Sequence, residues 1–400
     1  MSISDIYSSG FKNRNRDHFA AIVRVALSDG FITDEEQAFL NRTAINLEVE
    51  EEEYQNILKN ADQYKINPPT NTQNRLERLY DLTRMVYADN IADEGEKSLL
   101  RRLVTGLGFS TDAEGIVNKA IDLAETEYDA LIIGNQGANF SVGANLGMAF
   151  MMAVEQEYDE LNFSVKFFQD TVMRLRYSSC PTIIAPHGYT FGGACEMSMH
   201  ADKVVAAAET YIGLVEFGVG IIPGGAGSKE MALRASEGLL KDDVKLNKLR
   251  DYFINVAMAK VATSAHEAYD LGFLKEHKDI VVVNRDRQIA TAKRHAILML
   301  EDGYTQPVPK KVLVYGQQAL GMFLVGTDSL EKGHYASEHD KKIANKLGYV
   351  MAGGDLSEPT YVSEQYLLDI EREAFMSLCT ERKTLERIEH MLKTGKPLRN

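Results

Sequence analysis

Residues 191–197 read FGGACEM, between the apolar run 182–186 and a helix-like stretch. The carboxylate of Glu196 heads from that turn into apolar surroundings, where a charge is costly unless it is paired or used. The glycines before it matter as much. A strand that ends in a Gly-Gly turn lets backbone N–H groups point into a cleft at a helix start, which favours an oxyanion. A second glycine turn, NFSVGANLG at 139–147, follows an earlier apolar run. Two such turns could each give one N–H to the same carbonyl oxygen. Farther along, VEFGVGIIPGGAGSKE at 215–230 adds Glu216, 20 residues after Glu196. Two glutamates beside a pair of backbone donors suit general acid–base work on a thioester carbonyl, worth ~10²–10⁴-fold in rate. The plainer reading is a tight turn whose glutamates are salt-bridged scaffold.

The elements that must hold these residues are short apolar runs bounded by Gly, Asn and Pro. ALIIGN (130–135) and PTIIAP (181–186) have the form of buried strands, and KVVAAAETYIGL (203–214) that of a third strand and its turn. VKFFQDTVMRLRYS (165–178) is a helix between them, so the order points to an α/β arrangement with crossovers. From about Asp279 the chain is helix-rich again. Three neighbouring features carry no separate chemistry. GGAG at 224–227 is not GxGxxG and lacks an acidic ribose partner, which excludes NAD binding there. His187 and His200 flank the turn as packing residues. Cys195 has no activating neighbour and is read as packing too.

Residues 1–125 have a different character. Apolar positions recur at helical spacing in HFAAIVRVAL and RLERLYDLTRMVYA, and KINPPTNTQ is a connection. DGFITDEEQAFL (29–40) repeats as DNIADEGEKSLL (89–100), offset by 60 residues, which predicts a duplicated helix–acidic loop–helix unit. Its acids have two readings. Asp34 and Glu94 stand near helix starts, where negative charge is favourable. Alternatively Asp29, Glu36, Asp89 and Glu96 converge as oxygen ligands for a hard cation, although the spacing is not that of an EF-hand.

Composition narrows the class. A length of 400 residues suggests two or three domains, and 44% hydrophobic with 26% charged residues is ordinary for a globular protein. A net charge of −14 speaks against nucleic acid as a main partner. Cys180, Cys195 and Cys379 show no disulfide or zinc spacing. Without an apolar leader or a span-length apolar run, the expected location is the cytoplasm, with no membrane span.

Two resemblances follow from these motifs. ALSDGFITDEEQAFL and VYADNIADEGEKSLL make about residues 15–122 similar to the TerB-like (tellurite resistance) family. That resemblance implies a compact all-helical domain. It leaves room for a divalent cation among Asp29, Glu36, Asp89 and Glu96 and implies no established enzyme chemistry. GYTFGGACEMSMHADKVVAA (188–207), VEFGVGIIPGGAGS, NFSVGANLG and TSAHEAYDLGFL (263–274) resemble four ordered motifs of the crotonase (enoyl-CoA hydratase/isomerase) superfamily. The region to Asn400 is similar to the crotonase-type part of bacterial fused 3-hydroxyacyl-CoA dehydrogenase/enoyl-CoA hydratases. What this implies is an oxyanion hole from the N–H groups of Ala144 and Gly193, with Glu196 and Glu216 holding a water between them. The substrate would be a coenzyme A thioester, no cofactor would be required, and the assembly would be a trimer-type homo-oligomer. Asn145 stands where many crotonases have Asp, and Ala194 where many have a third glycine. The two opening strands of that family have no counterpart in 1–120.

The expected organisation is therefore multi-domain. An all-α TerB-like bundle (1–120) precedes an α/β crotonase-like spiral domain (121–280) that lacks its opening strands, and a helix-rich extension (281–400) follows. Enoyl-CoA hydratase/isomerase chemistry of the fatty-acid β-oxidation class is the leading functional expectation. The alternative is a catalytically inactive fusion or truncated product whose helical half binds a divalent metal or a protein partner.

Overall fold

The computed structural model describes residues 15–64 and 113–400, except 25, 28–31, 33, 48 and 240–242 and the side chains of 34–36, 46, 62 and 113–116. These residues form two compact units. One takes in the described residues up to 64 with 145–151 and 392–395; the other takes in 113–144, 152–391 and 396–400.

The described part of the first unit is helical: α1 (15–24), α2 (Asp34–Asn46) and α3 (Glu51–Asn60). The spacing that marks HFAAIVRVAL as amphipathic puts Phe19, Ile22, Val23 and Ala26 on one stripe, and all four are fully buried. They pack with Leu40, Ile57 and Met151, and the rings of Phe19 and Tyr54 lie 5.3 Å apart. Asp29, Asp89, Glu96 and the side chain of Glu36 lie outside the described residues. Among the described residues no cluster of three or more His, Cys, Asp or Glu could hold a metal ion.

The second unit opens with α4 (Ala113–Thr126) and is organised around a parallel sheet of β1 (Leu131–Ile133), β2 (Thr182–Ile184), β4 (Lys203–Ala207) and β6 (Ile280–Val282), paired in that order. Alternation along β2 shows why its residues are apolar on both faces. Ile184 packs against Ile121 of α4 and Leu175 of α5 (Tyr158–Arg176), whereas Ile183 packs against Ala292 and Ala296 of α9 (Gln288–Glu301). Among the described residues no strand precedes Leu131, and β1 pairs with β2 alone.

A second, two-stranded parallel sheet pairs β3 (Gly188–Phe191) with β5 (Thr210–Gly213). Three strands of the main sheet thus hand the chain to this one: β2 to β3, β4 to β5, and β1 to Ser141, which bridges Thr190 in parallel. The stretch KVVAAAETYIGL is therefore two strands in two sheets, not one strand and its turn, and GYTF is a strand in its own right. The chain winds as a stepped spiral, and glycine turns fall where each step leaves the second sheet.

After β6 the chain is mostly helical, but β7 (Lys311–Val314) and β8 (Thr360–Ser363) form an antiparallel pair within it. Between them run α10 (Gln317–Lys332) and α11 (Glu338–Ala352), and α12 (Glu364–Cys379) follows β8. The local signals for α11 are plain. Ser337 and Asp340 form a reciprocal capping box, and Gly353 closes the helix with a φ of +81°.

Two glycines give opposite expectations. A Cβ at Gly213 would sit 2.4 Å from the Lys260 carbonyl oxygen, whereas a Cβ at Gly326, inside α10, meets nothing within 4 Å. Gly326→Ala is expected to raise stability by about 0.5–1 kcal/mol, and Gly213→Ala to lower it by about 1–3 kcal/mol. Urea denaturation midpoints of the two variants against the parent check both signs.

Candidate active site

The site begins where β3 ends. Gly192 donates its N–H to the Gly213 carbonyl at 3.0 Å, the last bond of the β3–β5 ladder, and then turns at φ +56°, ψ −123°. That conformation is open to glycine almost alone, and a Cβ there would also press on Glu216 Oε1 at 3.1 Å. Helix α6 (Gly193–His200) starts directly afterwards, so the N–H groups of Gly193, Ala194 and Cys195 have no intrahelical acceptor. The other glycine turn lies against this one. Gly143 has φ +98°, and a Cβ on it would stand 3.1 Å from the Phe191 carbonyl oxygen and 3.7 Å from the Gly193 nitrogen. The two turns that the sequence pairs on spacing thus meet in space, with Ala144 next along from Gly143.

Glu196 sits in the first turn of α6, 3% exposed. Its Oε1 accepts the N–H groups of Gly225 and Gly227, both at 2.8 Å, from the turn that opens α7 (Gly227–Ser236). Its other oxygen, Oε2, faces the Gly193 and Gly225 α-carbons, with the Phe168 ring beside them. Burial, reinforced by the charges of Glu216 and Glu371, pushes the Glu196 carboxyl well up, against the pull of the Gly225 and Gly227 amides.

Glu216 starts the short 3-10 turn Glu216–Val219 that follows β5. Its Oε2 is buried and has no hydrogen-bond partner. Burial, with the Glu371 charge adding to it and backbone hydrogen bonds at Glu216 and Val215 opposing it, pushes this carboxyl up to about 7. Burial thus raises both predicted glutamates, and Glu216 differs in having a buried oxygen that no donor reaches.

A third carboxylate completes the cluster, and sequence reasoning missed it. Glu371 of α12 is 0% exposed and accepts the N–H groups of Ala226 (2.6 Å) and Lys229 (2.9 Å). Gln169 of α5 donates to it at 3.3 Å. Burial pushes Glu371 up to about 7, opposed by those donors and the Lys229 charge. One signal could have found it. In YLLDIEREAFMSL, Glu371 takes a place on the apolar stripe of Leu367, Leu368, Phe375 and Leu378, all buried.

Beneath α7 lies a buried ion network that the sequence also concealed. Glu230 accepts from Arg234 Nε at 2.8 Å and from Arg176 and Lys229, whose Nζ also donates to Glu364 at 2.8 Å. Burial alone would raise Glu230, but Arg176, Arg234 and Lys229 hold it well below the usual carboxylate range. His200 belongs to this network: its Nδ1 meets the Glu196 carbonyl oxygen at 2.6 Å and its Nε2 meets Lys229 Nζ at 2.9 Å. His187 Nε2 meets the Gly137 carbonyl oxygen at 2.9 Å, and Cys195 Sγ lies 3.7 Å from Met199 Sδ. A separate cavity of about 310 Å³ is lined by Arg234, by Lys248 and Tyr252 of α8 (Lys245–Ala257), and by Lys275 and Lys278. Two of its cations close the far end of α6: Arg234 donates to the Met199 carbonyl at 2.8 Å and Lys278 to the Ala201 carbonyl at 2.7 Å.

Residues 116–236, which hold both glycine turns, Glu196 and Glu216, match the family described as enoyl-CoA hydratase/isomerase. This is a crotonase-type region. The chain is 44% identical over 285 residues to the "Probable 3-hydroxyacyl-CoA dehydrogenase" of Bacillus subtilis, a match that covers 71% of this chain and 36% of that protein. It is 32% identical over 133 residues to the fatty acid oxidation complex subunit alpha of Colwellia psychrerythraea, covering 30% of this chain and 18% of that one. The chain therefore spans about a third of the length of the Bacillus relative. Among solved structures, the enoyl-CoA hydratase of Bacillus halodurans aligns at 18% identity with a TM-score of 0.46, over 70% of this chain and 88% of that one. No helix among the described residues is long and apolar enough to cross a membrane. The crotonase-type region holds Glu196 and Glu216, whereas Glu371 lies beyond the matched residues.

The raised carboxyls make stability depend on pH. A carboxyl whose folded pKa lies above its unfolded value stabilises the fold while protonated, and that contribution is lost as pH rises through the folded value. For Glu216 the window runs from the ordinary carboxylate range up to about 7. Glu216→Gln is expected to match the parent in stability near pH 5 and exceed it by about 2 kcal/mol at pH 8. Urea denaturation of both proteins at the two pH values reads the difference.

Proposed function

We propose that the crotonase-type region performs enoyl-CoA hydratase/isomerase chemistry on a coenzyme A thioester, of the kind used in fatty-acid oxidation. The observation that carries this reading is the convergence of two buried carboxylates, Glu196 and Glu216, on the paired turns at Gly143 and Gly192. The N–H groups of Ala144 and Gly193 hold the thioester oxygen. They hold it more tightly as it becomes an enolate oxygen, and only that difference lowers the barrier.

The two glutamates divide the proton work according to their surroundings. Glu196, gripped through Oε1 by two amides, keeps Oε2 free towards the Gly193 turn and accepts a proton from water as the water oxygen bonds to Cβ. The electrons of the Cα=Cβ bond move towards the carbonyl carbon, and the oxyanion donors receive the charge. Glu216, whose carboxyl burial pushes up to about 7, gives its proton to Cα. The water's O–H is thereby split across the double bond, and the proton gained at Glu196 restores the one lost from Glu216. Isomerisation uses the same two groups without the water, one removing a proton and the other returning one.

The same reading assigns residues 121–280 as the crotonase-like α/β core and 281–400 as its helix-rich C-terminal extension, which Glu371 supports by reaching the α7 turn. It takes residues 1–120 as a TerB-like helical domain, supported by the helices at 15–24, Asp34–Asn46 and Glu51–Asn60 and by the acidic repeat in the sequence. Asp29, Glu36, Asp89 and Glu96 are its candidate ligands for a divalent cation. A trimer-type homo-oligomer and a cytoplasmic location complete the proposal.

Hydration of crotonyl-CoA, followed by loss of the enoyl thioester absorbance, tests the chemistry. The parent is expected to turn over, and Glu196→Gln and Glu216→Gln each to lose about 10²–10⁴-fold in kcat with a much smaller change in KM. A folded parent that neither hydrates crotonyl-CoA nor isomerises a 3-enoyl-CoA sinks the proposal.

A further inference from the structure

We propose that Glu371, brought from the C-terminal region into the opening turn of α7, is a positioning residue that sets how Glu196 and Glu216 share their proton. This rests on the acid–base reading above and deepens it.

Geometry carries the inference. Four backbone N–H groups in five consecutive residues serve two carboxylates in an interleaved pattern. Gly225 and Gly227 donate to Glu196, and Ala226 and Lys229 donate to Glu371. The turn cannot give two of these amides to Glu196 unless the alternate ones have an acceptor on the opposite side, since buried amides without a partner are expensive. Ala226 itself sits at φ +81°, a left-handed conformation that a residue with a Cβ keeps only when its neighbours hold it there. Its N–H bond to Glu371, at 2.6 Å, is the shortest of the four.

The second part of the role is charge. From α5, Gln169 donates to Glu371, and its own Oε1 is held by Arg372 of α12 at 3.0 Å. From α7, Lys229 gives its N–H to Glu371, but its ammonium group turns away to Glu364 and His200. From α6 and the 3-10 turn come Glu196 and Glu216, both negative when ionised. The charge of Glu371 acts on the two proposed acid–base residues and pushes both carboxyls up. A negative Glu371 favours the state in which at least one of them holds a proton.

Two measurements test the proposal, one independent of turnover. The pH–kcat profile for crotonyl-CoA hydration is compared between the parent and Glu371→Gln. The expected result is a profile moved towards lower pH by about one unit, with kcat lowered at least tenfold and KM within about twofold. A role confined to helix capping would lower stability and leave the profile where it was, and that outcome overturns the proposal. pH-difference infrared spectra of the same two proteins follow the carbonyl band of protonated carboxylic acids. In the parent part of this band should be lost as pH rises through about 7, and in Glu371→Gln the midpoint of the carboxyl groups that remain should fall. An unchanged midpoint also overturns the proposal. If the infrared midpoint falls in Glu371→Gln but the parent does not hydrate crotonyl-CoA, the catalytic reading has failed and the proton-sharing role stands. Should Glu371→Gln not fold, Gln169→Leu removes one donor to Glu371, keeps it neutral to higher pH, and is expected to move the pH–kcat profile towards lower pH. No movement there counts against the proposal.

Discussion

The turn 225–229 gives its amides alternately to Glu196 and Glu371, and the geometry of the site depends on that sharing. A helix start always offers unpaired N–H groups, and its dipole favours negative charge beside them. Here the favour is divided between two buried carboxylates far apart in the chain of the second unit, one on α6 and one on α12. Each keeps the turn in place for the other. Glycine at 225 and 227 follows directly, since a Cβ at either would lie within 3 Å of a Glu196 oxygen.

Carboxylates packed this closely need a rigid surrounding, because charges in a low-dielectric cluster gain from their donors only when the donors cannot move away. The ion network on the other side of α7 supplies part of that rigidity. Glu230, Lys229, Arg176, Arg234 and Glu364 are paired among themselves, and Arg234 also ties α7 to the last turn of α6. Helix α7 is thus gripped at its amides by acids and along its length by mixed ion pairs. The apolar layers on either face of the main sheet hold α4, α5 and α9 against the strands that deliver β3 and β5 to the site.

Much of this was legible in the sequence, for identifiable reasons. Glycine turns at strand ends are written locally, since φ above zero and close backbone approach require glycine whatever the rest of the fold does. Glu196 follows such a turn directly, and Glu216 follows the next apolar run, so both were found by spacing. The two-sheet spiral was less visible. KVVAAAETYIGL reads as a single run because β4 and β5 are separated by two residues, and nothing in the run marks the step from one sheet to the other. Glu371 was missed because its partners are 145 and 142 residues away. Within its own helix it is only an acid on an apolar stripe.

The sequence by itself determined the local events: where strands end, where helices start, which turns expose amides, and which acids stand beside them. These depend on backbone sterics and on spacing over a few residues. Only the tertiary structure decided which amides each acid receives, that a third carboxylate joins the pair, and which of the three is left with a buried oxygen that no donor reaches. Those outcomes depend on burial and on long-range contact, because the cost of a buried charge is set by every donor and charge around it, and folding brings these together from distant parts of the chain.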